Sequence, residues 1–314
     1  MSFSSDVKTE IINQTGMIKK QRIARLLGMI CFGAKITSSP DGHKFKFSTE
    51  NPKIARTMYS LIKNDCAIKA NLRVYRGPKS ILYYVMIDDE LEINDLFHTI
   101  GLLSTGEDIK SFISYHINPA YIMENAEKKA FIGGAFLAAG SVITPQKNCH
   151  LEFVTSHYRL SKDMERLLGD FNLNVKTAVR KSNYVLYFKN SSDVADMLTI
   201  LGAYDALMEY HNIKIMKDVR NSINRKMNCD NANMTKTIDA SFRQVEAIKK
   251  LEKLGVLQEL NESLQEIARL RMQYKELGLK ELGEMLNPPL GKSGVNHRLR
   301  KLVEEAEKLG DCKE

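Results

Sequence analysis

Within ten residues near its C-terminus the chain places Lys292, Ser293, Asn296, His297, Arg298, Arg300 and Lys301. Such side chains donate to phosphate oxygens, and Asn can pair bidentately with the edge of an adenine. The chemistry on offer is recognition of a polyanion rather than bond making. Lys292, Ser293, Asn296 and His297 are the candidates for base edges, and Arg298, Arg300 and Lys301 for phosphates. A second basic string, Arg220-Asn221-Ser222-Ile223-Asn224-Arg225-Lys226, continues through several Asn to Lys236-Thr237 and adds Arg220, Arg225 and Lys236 as phosphate candidates. A solvated basic face on an ordinary three-helix bundle, or a solvated linker, would use the same residue types.

Other chemistries fit the spacing poorly. Cys31, Cys66, Cys149, Cys229 and Cys312 are dispersed and odd in number, which points to reduced thiols rather than a disulfide framework. Cys149-His150 with His157 falls short of the four paired ligands of a structural zinc site, so no metal is expected. Gly291-Lys292-Ser293 ends like a phosphate-binding loop, but Leu286 stands where its first Gly belongs. Gly133-Gly134 and Gly140-Ser141 are not followed by Lys. No cofactor is expected.

The composition agrees with a polyanionic partner. A chain of 314 residues with 43% hydrophobic and 27% charged residues reads as globular, and its net charge of +8 and pI near 9.1 favour nucleic acid. The run from Ala130 to Gln146 lacks charges but is short and Gly-rich for a membrane span, and Met1 to Asp6 has no signal-peptide pattern. A cytoplasmic protein with no membrane partner is expected.

Elements must position these groups. Leu264, Ile267, Ala268 and Arg271 share one helical face, and Leu279 to Leu286 reads as a second helix. Pro288-Pro289-Leu290-Gly291 breaks the chain, and Ser293 can cap a third helix over Gly294 to Leu309. On that helix Val295, Leu299 and Leu302 form one apolar face, which leaves the basic residues outward. This is the helix-turn-helix layout, whose third helix enters a DNA major groove through its N-terminal residues. A further helix is expected near Ser241 to Leu254.

The first two-thirds of the chain carries an internal repeat. At an offset of 106, Phe47 falls on Phe153, Thr49 on Thr155, Met58 on Met164 and Leu61 on Leu167, while further on Gly101 corresponds to Gly202. Each copy opens with a helix rich in small residues (Lys20 to Phe32; Lys128 to Ala139). Strands are expected at Ala34 to Ser38 and His43 to Ser48, and at Ser141 to Thr144 and His150 to Thr155. Amphipathic helices (Pro52 to Lys63; Leu160 to Phe171) precede two β-rich runs per copy, at Ile68 to Tyr75 with Ser80 to Ile87, and Asn174 to Arg180 with Tyr184 to Phe188. Short helices close the copies at Ile93 to Leu103 and Asp193 to Gly202. The unit is α-β-β-α-β-β-α, and its fold class is α+β. On or near its strands Arg73, Arg76, Lys79, Lys176, Arg180 and Lys181 offer either a DNA-facing surface or a solvated one.

The opening segments, Leu26 to Ala34 and Ile132 to Ser141, resemble the LAGLIDADG motif of homing endonucleases, whose duplicated fold has the same element order. The resemblance covers about residues 20–205 and implies a saddle of two repeats, 20–105 and 128–205. Active members end each motif helix in an acid that holds divalent metal, whereas the matching positions here are Gly33 and Ala139. With 1–19 as an N-terminal segment, 206–258 as a basic linker and helix, and 259–314 as an all-α helix-turn-helix domain, the whole resembles the WhiA family. Met1 to Lys8, Arg220 to Thr237 and Lys292 to Lys301 are similar to that family's distinctive strings, although relatives commonly end the first motif helix in an Asn-Gly-Ser-like turn where this chain has Gly33-Ala34-Lys35. The resemblance implies a non-enzymatic, nucleoid-associated regulator that binds double-stranded DNA, tied to cell division, chromosome segregation or sporulation, with room for a protein regulator as a further partner. A divergent endonuclease using Asp41 or Glu152, and a protein-interaction scaffold, are the alternatives.

Overall fold

Helix α1 (Phe3–Asn13) leads into the first opening helix, α2 (Lys19–Gly33), which crosses its repeat counterpart α5 (Asn125–Ala139) at the centre of the first unit. The computed structural model describes residues 2–39, 42–78, 80–112, 115–147 and 149–309, so Asp41 and Lys79 lie outside the described residues. A Cβ on Gly28 would lie 2.1 Å from the Phe131 carbonyl oxygen, and one on Gly134 would lie 2.0 Å from that of Arg25. The offset of 106 exchanges Gly28 with Gly134 and Arg25 with Phe131, so the repeat brings the two backbones together about a pseudo-twofold axis. Glu127 starts α5 earlier than expected, because its carboxylate accepts from the amides of Met123 (2.8 Å) and Glu124 (3.1 Å).

Each opening helix feeds a four-stranded antiparallel sheet. The first copy runs β1 (Ala34–Ser39), β2 (Gly42–Thr49), α3 (Pro52–Asp65), β3 (Asn71–Arg76), β4 (Ile81–Ile87) and α4 (Glu90–Thr99). The second runs β5 (Gly140–Val142), β6 (Leu151–Thr155), α6 (Tyr158–Gly169), β7 (Lys176–Arg180), β8 (Asn183–Phe188) and α7 (Ser191–Leu201). Strand order is β1-β2-β4-β3 and β5-β6-β8-β7. Phe47 pairs with Val85, and its equivalent Phe153 with Leu186, so the offset has fallen to 101 by the fourth strand. Most of the loss is in one hairpin. The β7–β8 turn is Lys181-Ser182 alone, both left-handed (φ 47° and 64°), as a two-residue turn between twisted strands requires.

The N-terminal segment belongs to this core. Val7 and Ile11 on α1 are fully buried, and the Glu10 carboxylate accepts from the amides of Asp205 (3.0 Å) and Ala206 (2.8 Å) at the start of α8 (Tyr204–Lys253). A carboxylate at a helix N-terminus satisfies amides that have no intrahelical partner.

The chain divides into Met1–Lys217 and Asp218–Glu314. The segment read as a linker with a helix near Ser241 is instead continuously α-helical over 206–253, as part of α8, whose 50 residues contain neither Gly nor Pro. Asn and Thr are weak helix formers but cost at most about 0.7 kcal/mol each, so a run of them does not break a helix. Thr235 and Thr237 hydroxyls donate back to the carbonyls of Asn231 (3.0 Å) and Asn233 (2.9 Å), and left-handed Gly255 follows the helix end. In the second unit the end of α8 packs with α9 (Glu262–Gln273), α10 (Leu279–Glu284) and α11 (Lys292–Lys308) around Ile248, Leu251, Ile267, Leu282, Val295, Leu299 and Leu302.

Candidate nucleic-acid interface

The turn between α10 and α11 sets how α11 is presented. Gly291, not Ser293, caps the helix, because Leu290 is drawn back onto α10 and the chain enters helical geometry immediately after it. A Cβ on Gly294 would lie 1.9 Å from Leu290 Cδ2, so the Leu290 side chain fills the space beside the first turn. Lys292 and Ser293 therefore sit in that first turn, and the Ser293 hydroxyl makes no cap bond. Val295, Leu299 and Leu302 are fully buried, whereas Lys292, Ser293, Asn296, His297, Arg300 and Lys301 are exposed.

Helical spacing sorts the exposed group further. Ser293, His297 and Arg300 lie at i, i+4 and i+7 on the face opposite the core, with Lys292 and Asn296 along one flank and Lys301 on the other. Arg300 Nε donates to Glu304 at 2.9 Å. Arg298 does not project with the others. It is half-buried, and its Nη1 approaches the Ser263 carbonyl of α9 at 3.4 Å in a groove that also holds Glu262 and Glu266. Arg271, placed by spacing on the apolar face of α9, is 2% exposed. Its Nη1 donates to the Leu277 carbonyl at 2.8 Å and so ties the α9–α10 connection, while burial lowers its pKa.

Arg220, Arg225 and Lys236 are all exposed on α8. Arg225 and Lys236 are eleven residues apart, three turns along one face and about 16 Å from each other on an ideal helix. Arg220 lies roughly 140° around the helix from Arg225 at 100° per residue, so the three do not form one row.

In the first unit the strand register separates residues that the sequence lists together. Phe45 and Phe47 face the helices, so Lys44 and Lys46 face the open side of the sheet, and Lys35 joins them by pairing with Lys46. Arg73 is on that open side opposite Tyr84, while Arg76, three residues on, has the opposite parity. Lys176 and Arg180 share the open side of the second sheet, and Lys181 is in the hairpin turn. Sequence reasoning missed Lys35, Lys44 and Lys46, although their alternation with the two Phe was the available signal. Lys46 Nζ sits 4.2 Å from the centroid of the Tyr84 ring.

The positions that hold divalent metal in catalytic LAGLIDADG proteins do not fit a cation here. Gly33 and Ala139 end α2 and α5, and a Cβ on Gly33 would already lie 2.5 Å from the Phe47 ring. Glu152, the acid on the neighbouring strand, contacts His150 Nε2 at 2.9 Å and Arg180 at 3.8 Å. Among the described residues no group of three or more His, Cys, Asp or Glu could hold a metal ion. No helix among them is long and apolar enough to cross a membrane.

Known proteins share this arrangement over the whole chain. The models for the WhiA N-terminal LAGLIDADG-like domain, the WhiA LAGLIDADG-like domain and the WhiA C-terminal HTH domain match residues 19–103, 128–220 and 223–306. The probable cell division protein WhiA of Clostridium beijerinckii is 40% identical over 100% of both chains, and that of Clostridium perfringens is 41% identical over 98% of both. The crystal structure of full-length DUF199/WhiA from Thermatoga maritima matches with a TM-score of 0.58 and 25% identity, over 98% of this chain and 99% of that one. The isolated N-terminal LAGLIDADG domain of DUF199/WhiA matches with a TM-score of 0.50 and 21% identity, over 64% of this chain and 90% of that one. With its duplicated LAGLIDADG-like domain, its helix-turn-helix domain and relatives this similar from end to end, the chain belongs to the WhiA family.

Proposed function

We propose that the protein is a sequence-specific, non-cleaving DNA-binding regulator that acts in cell division and chromosome segregation and associates with the nucleoid. The observation that carries this reading is α11, with its apolar face sunk in the second unit's core and Lys292, Ser293, Asn296 and His297 exposed at its N-terminal end. A helix N-terminus also carries partial positive charge, which favours a phosphate close by. In this reading Asn296 and His297 reach base edges with Lys292 and Ser293, Lys301 and Arg300 grip phosphates, and Arg298 acts mainly by bracing α11 on α9. Arg225 and Lys236 hold a second stretch of backbone, with Arg220 on a neighbouring phosphate. Absence of cleavage follows from Gly33 and Ala139 at the metal positions. Double-stranded DNA is the partner, and a protein regulator docking on the first unit would couple it to division.

Sequencing the genomic fragments retained by purified protein at near-physiological salt with Mg²⁺ tests this. Discrete recurrent sites with intact ends are expected, and Asn296→Ala with His297→Ala should blur them. Uniform recovery that disappears with added salt would reduce the interaction to backbone attraction and sink the reading.

A further inference from the structure

A cavity of about 870 Å³ opens in the first unit between the stretch following α1, the start of α2 and one face of α3. Four cations line it: Arg22, Arg25, Lys53 and Arg56. Arg22 is fully engaged, with Nε and Nη2 on the Asp65 carboxylate (3.0 and 2.8 Å) and Nη1 on the Met17 carbonyl at 2.5 Å. Arg25 is not. It is only 4% exposed, yet its Nε has no partner, and its Nη2 donates merely to the neutral side-chain oxygen of Gln14. The Gln14 amide nitrogen donates to the Leu201 carbonyl at 2.6 Å, which settles that the oxygen is the end facing Arg25. Burying a guanidinium without a carboxylate is costly, so something other than packing has to account for it. Lys53 and Arg56 on α3 add two exposed cations to the same cavity.

The second repeat supplies an internal comparison. The offset of 106 carries Arg22, Arg25 and Arg56 onto Lys128, Phe131 and Lys162. The matching crevice there measures about 180 Å³ and is lined by Ile117, Pro119 and Ile122. Its two cations are paired, Lys128 with Asp170 and Arg166 with Asp163 at 3.7 Å, and Lys162, the equivalent of Arg56, pairs with Glu165 at 2.8 Å. The same helix crossing is thus built with a phenylalanine where Arg25 stands, so the fold does not require the buried charge.

We propose that the cavity beside Arg25 binds a small molecule carrying two or more phosphate groups, held by Arg25, Lys53 and Arg56 with Ser60 and Asn64 as neutral donors. Three cations without carboxylate partners suit a multiply charged anion, and guanidinium forks match phosphate oxygens. The volume is in the range of small-molecule sites. The depth of Arg25 favours a ligand that enters the recess over a duplex backbone lying across its mouth.

The test uses the full chain with pyrophosphate and with ATP as probes, each titrated calorimetrically at ionic strength held constant with NaCl. Binding of either probe is expected, together with an upward shift of the thermal midpoint. Lys53→Ala with Arg56→Ala should weaken that binding at least tenfold, while Arg159→Ala with Lys162→Ala in the second repeat should leave it unchanged. Arg25→Met should abolish the ligand-induced shift while the ligand-free midpoint holds or rises, because an unpaired buried charge is gone. If Arg25→Met fails to fold, the two double variants, which touch no fully buried side chain, decide the matter. Failure of both probes to bind at millimolar concentration would overturn the proposal, as would binding that survives Lys53→Ala with Arg56→Ala. It would equally be overturned if that variant weakened duplex DNA binding and neither probe bound, which would make the cavity a DNA contact. DNA recognition through α11 is read separately on the same variants and stands or falls without this site.

Discussion

Leu290 is folded back onto Gly283: its amide donates to the Gly283 carbonyl at 2.9 Å, and a Cβ on Gly283 would lie 2.0 Å from the Leu290 carbonyl oxygen. This contact fixes the turn that aims α11. Gly283→Ala should therefore destabilise the second unit by about 1–3 kcal/mol or more, since the atom in the way is backbone and cannot rotate aside. Denaturant unfolding should show the loss, and DNA affinity should fall with it. Wild-type stability in the alanine variant would mean that the turn is looser than described.

The α2–α5 crossing makes a graded prediction. Gly28→Ala and Gly134→Ala should each destabilise the first unit strongly, by about 3 kcal/mol or more, because both meet backbone at about 2 Å. Gly133→Ala is the control. Its Cβ would meet Ile11 at an ordinary 3.5 Å, and alanine favours helix over glycine by about 1 kcal/mol, so this variant should be neutral or stabilised. Equal effects of all three in thermal melts would remove the case for reciprocal backbone contact.

On α11 the two kinds of contact should separate by salt. Lys301→Ala should weaken binding to all sequences alike and lower the slope of log affinity against log salt by about one. Glu304→Gln should act in the opposite direction. It releases Arg300 from an exposed ion pair and removes a negative charge, so affinity should rise up to about fivefold. A drop in affinity for Glu304→Gln would show that the pair orients Arg300 rather than occupying it.

His157 provides a pH dependence. Its ring lies 5.1 Å from that of Tyr115, and burial lowers its pKa below the ordinary value of about 6.5. As pH falls below 6.5 the unfolded chain takes up a proton that the folded chain resists, so stability is complete above that value and declines toward the lower folded value. The thermal midpoint should fall between pH 7 and pH 5, and His157→Gln should flatten part of that slope. An unchanged slope would place the titration elsewhere.

Much of the candidate site's framework was legible because its signals are local. Val295, Leu299 and Leu302 declare their face by spacing alone, and Phe47 over Phe153 declares the repeat. Gly33 and Ala139 lose the metal-binding acids by identity, whatever surrounds them. The cap of α11 was misread as Ser293, because a capping preference is weaker than the pull of Leu290 onto Gly283, seven residues back along the chain. The middle of α8 was read as a linker because Asn-rich composition suggests a loop, while a run without Gly or Pro can continue a helix.

The sequence by itself determined the element order of the two repeats, the duplication, the apolar faces of the helix-turn-helix and the family, since each depends on periodicity or on strings of neighbouring residues. Only the tertiary structure decided that Lys35, Lys44 and Lys46 share one sheet face with Arg73 but not with Arg76, that Arg298 turns toward Ser263, and that Arg25 is buried beside Gln14 without a counter-charge. Those outcomes depend on strand register and on contacts between residues far apart in sequence, such as Gln14 and Leu201. No local pattern encodes them, because which charge finds a partner is settled only when the distant elements pack.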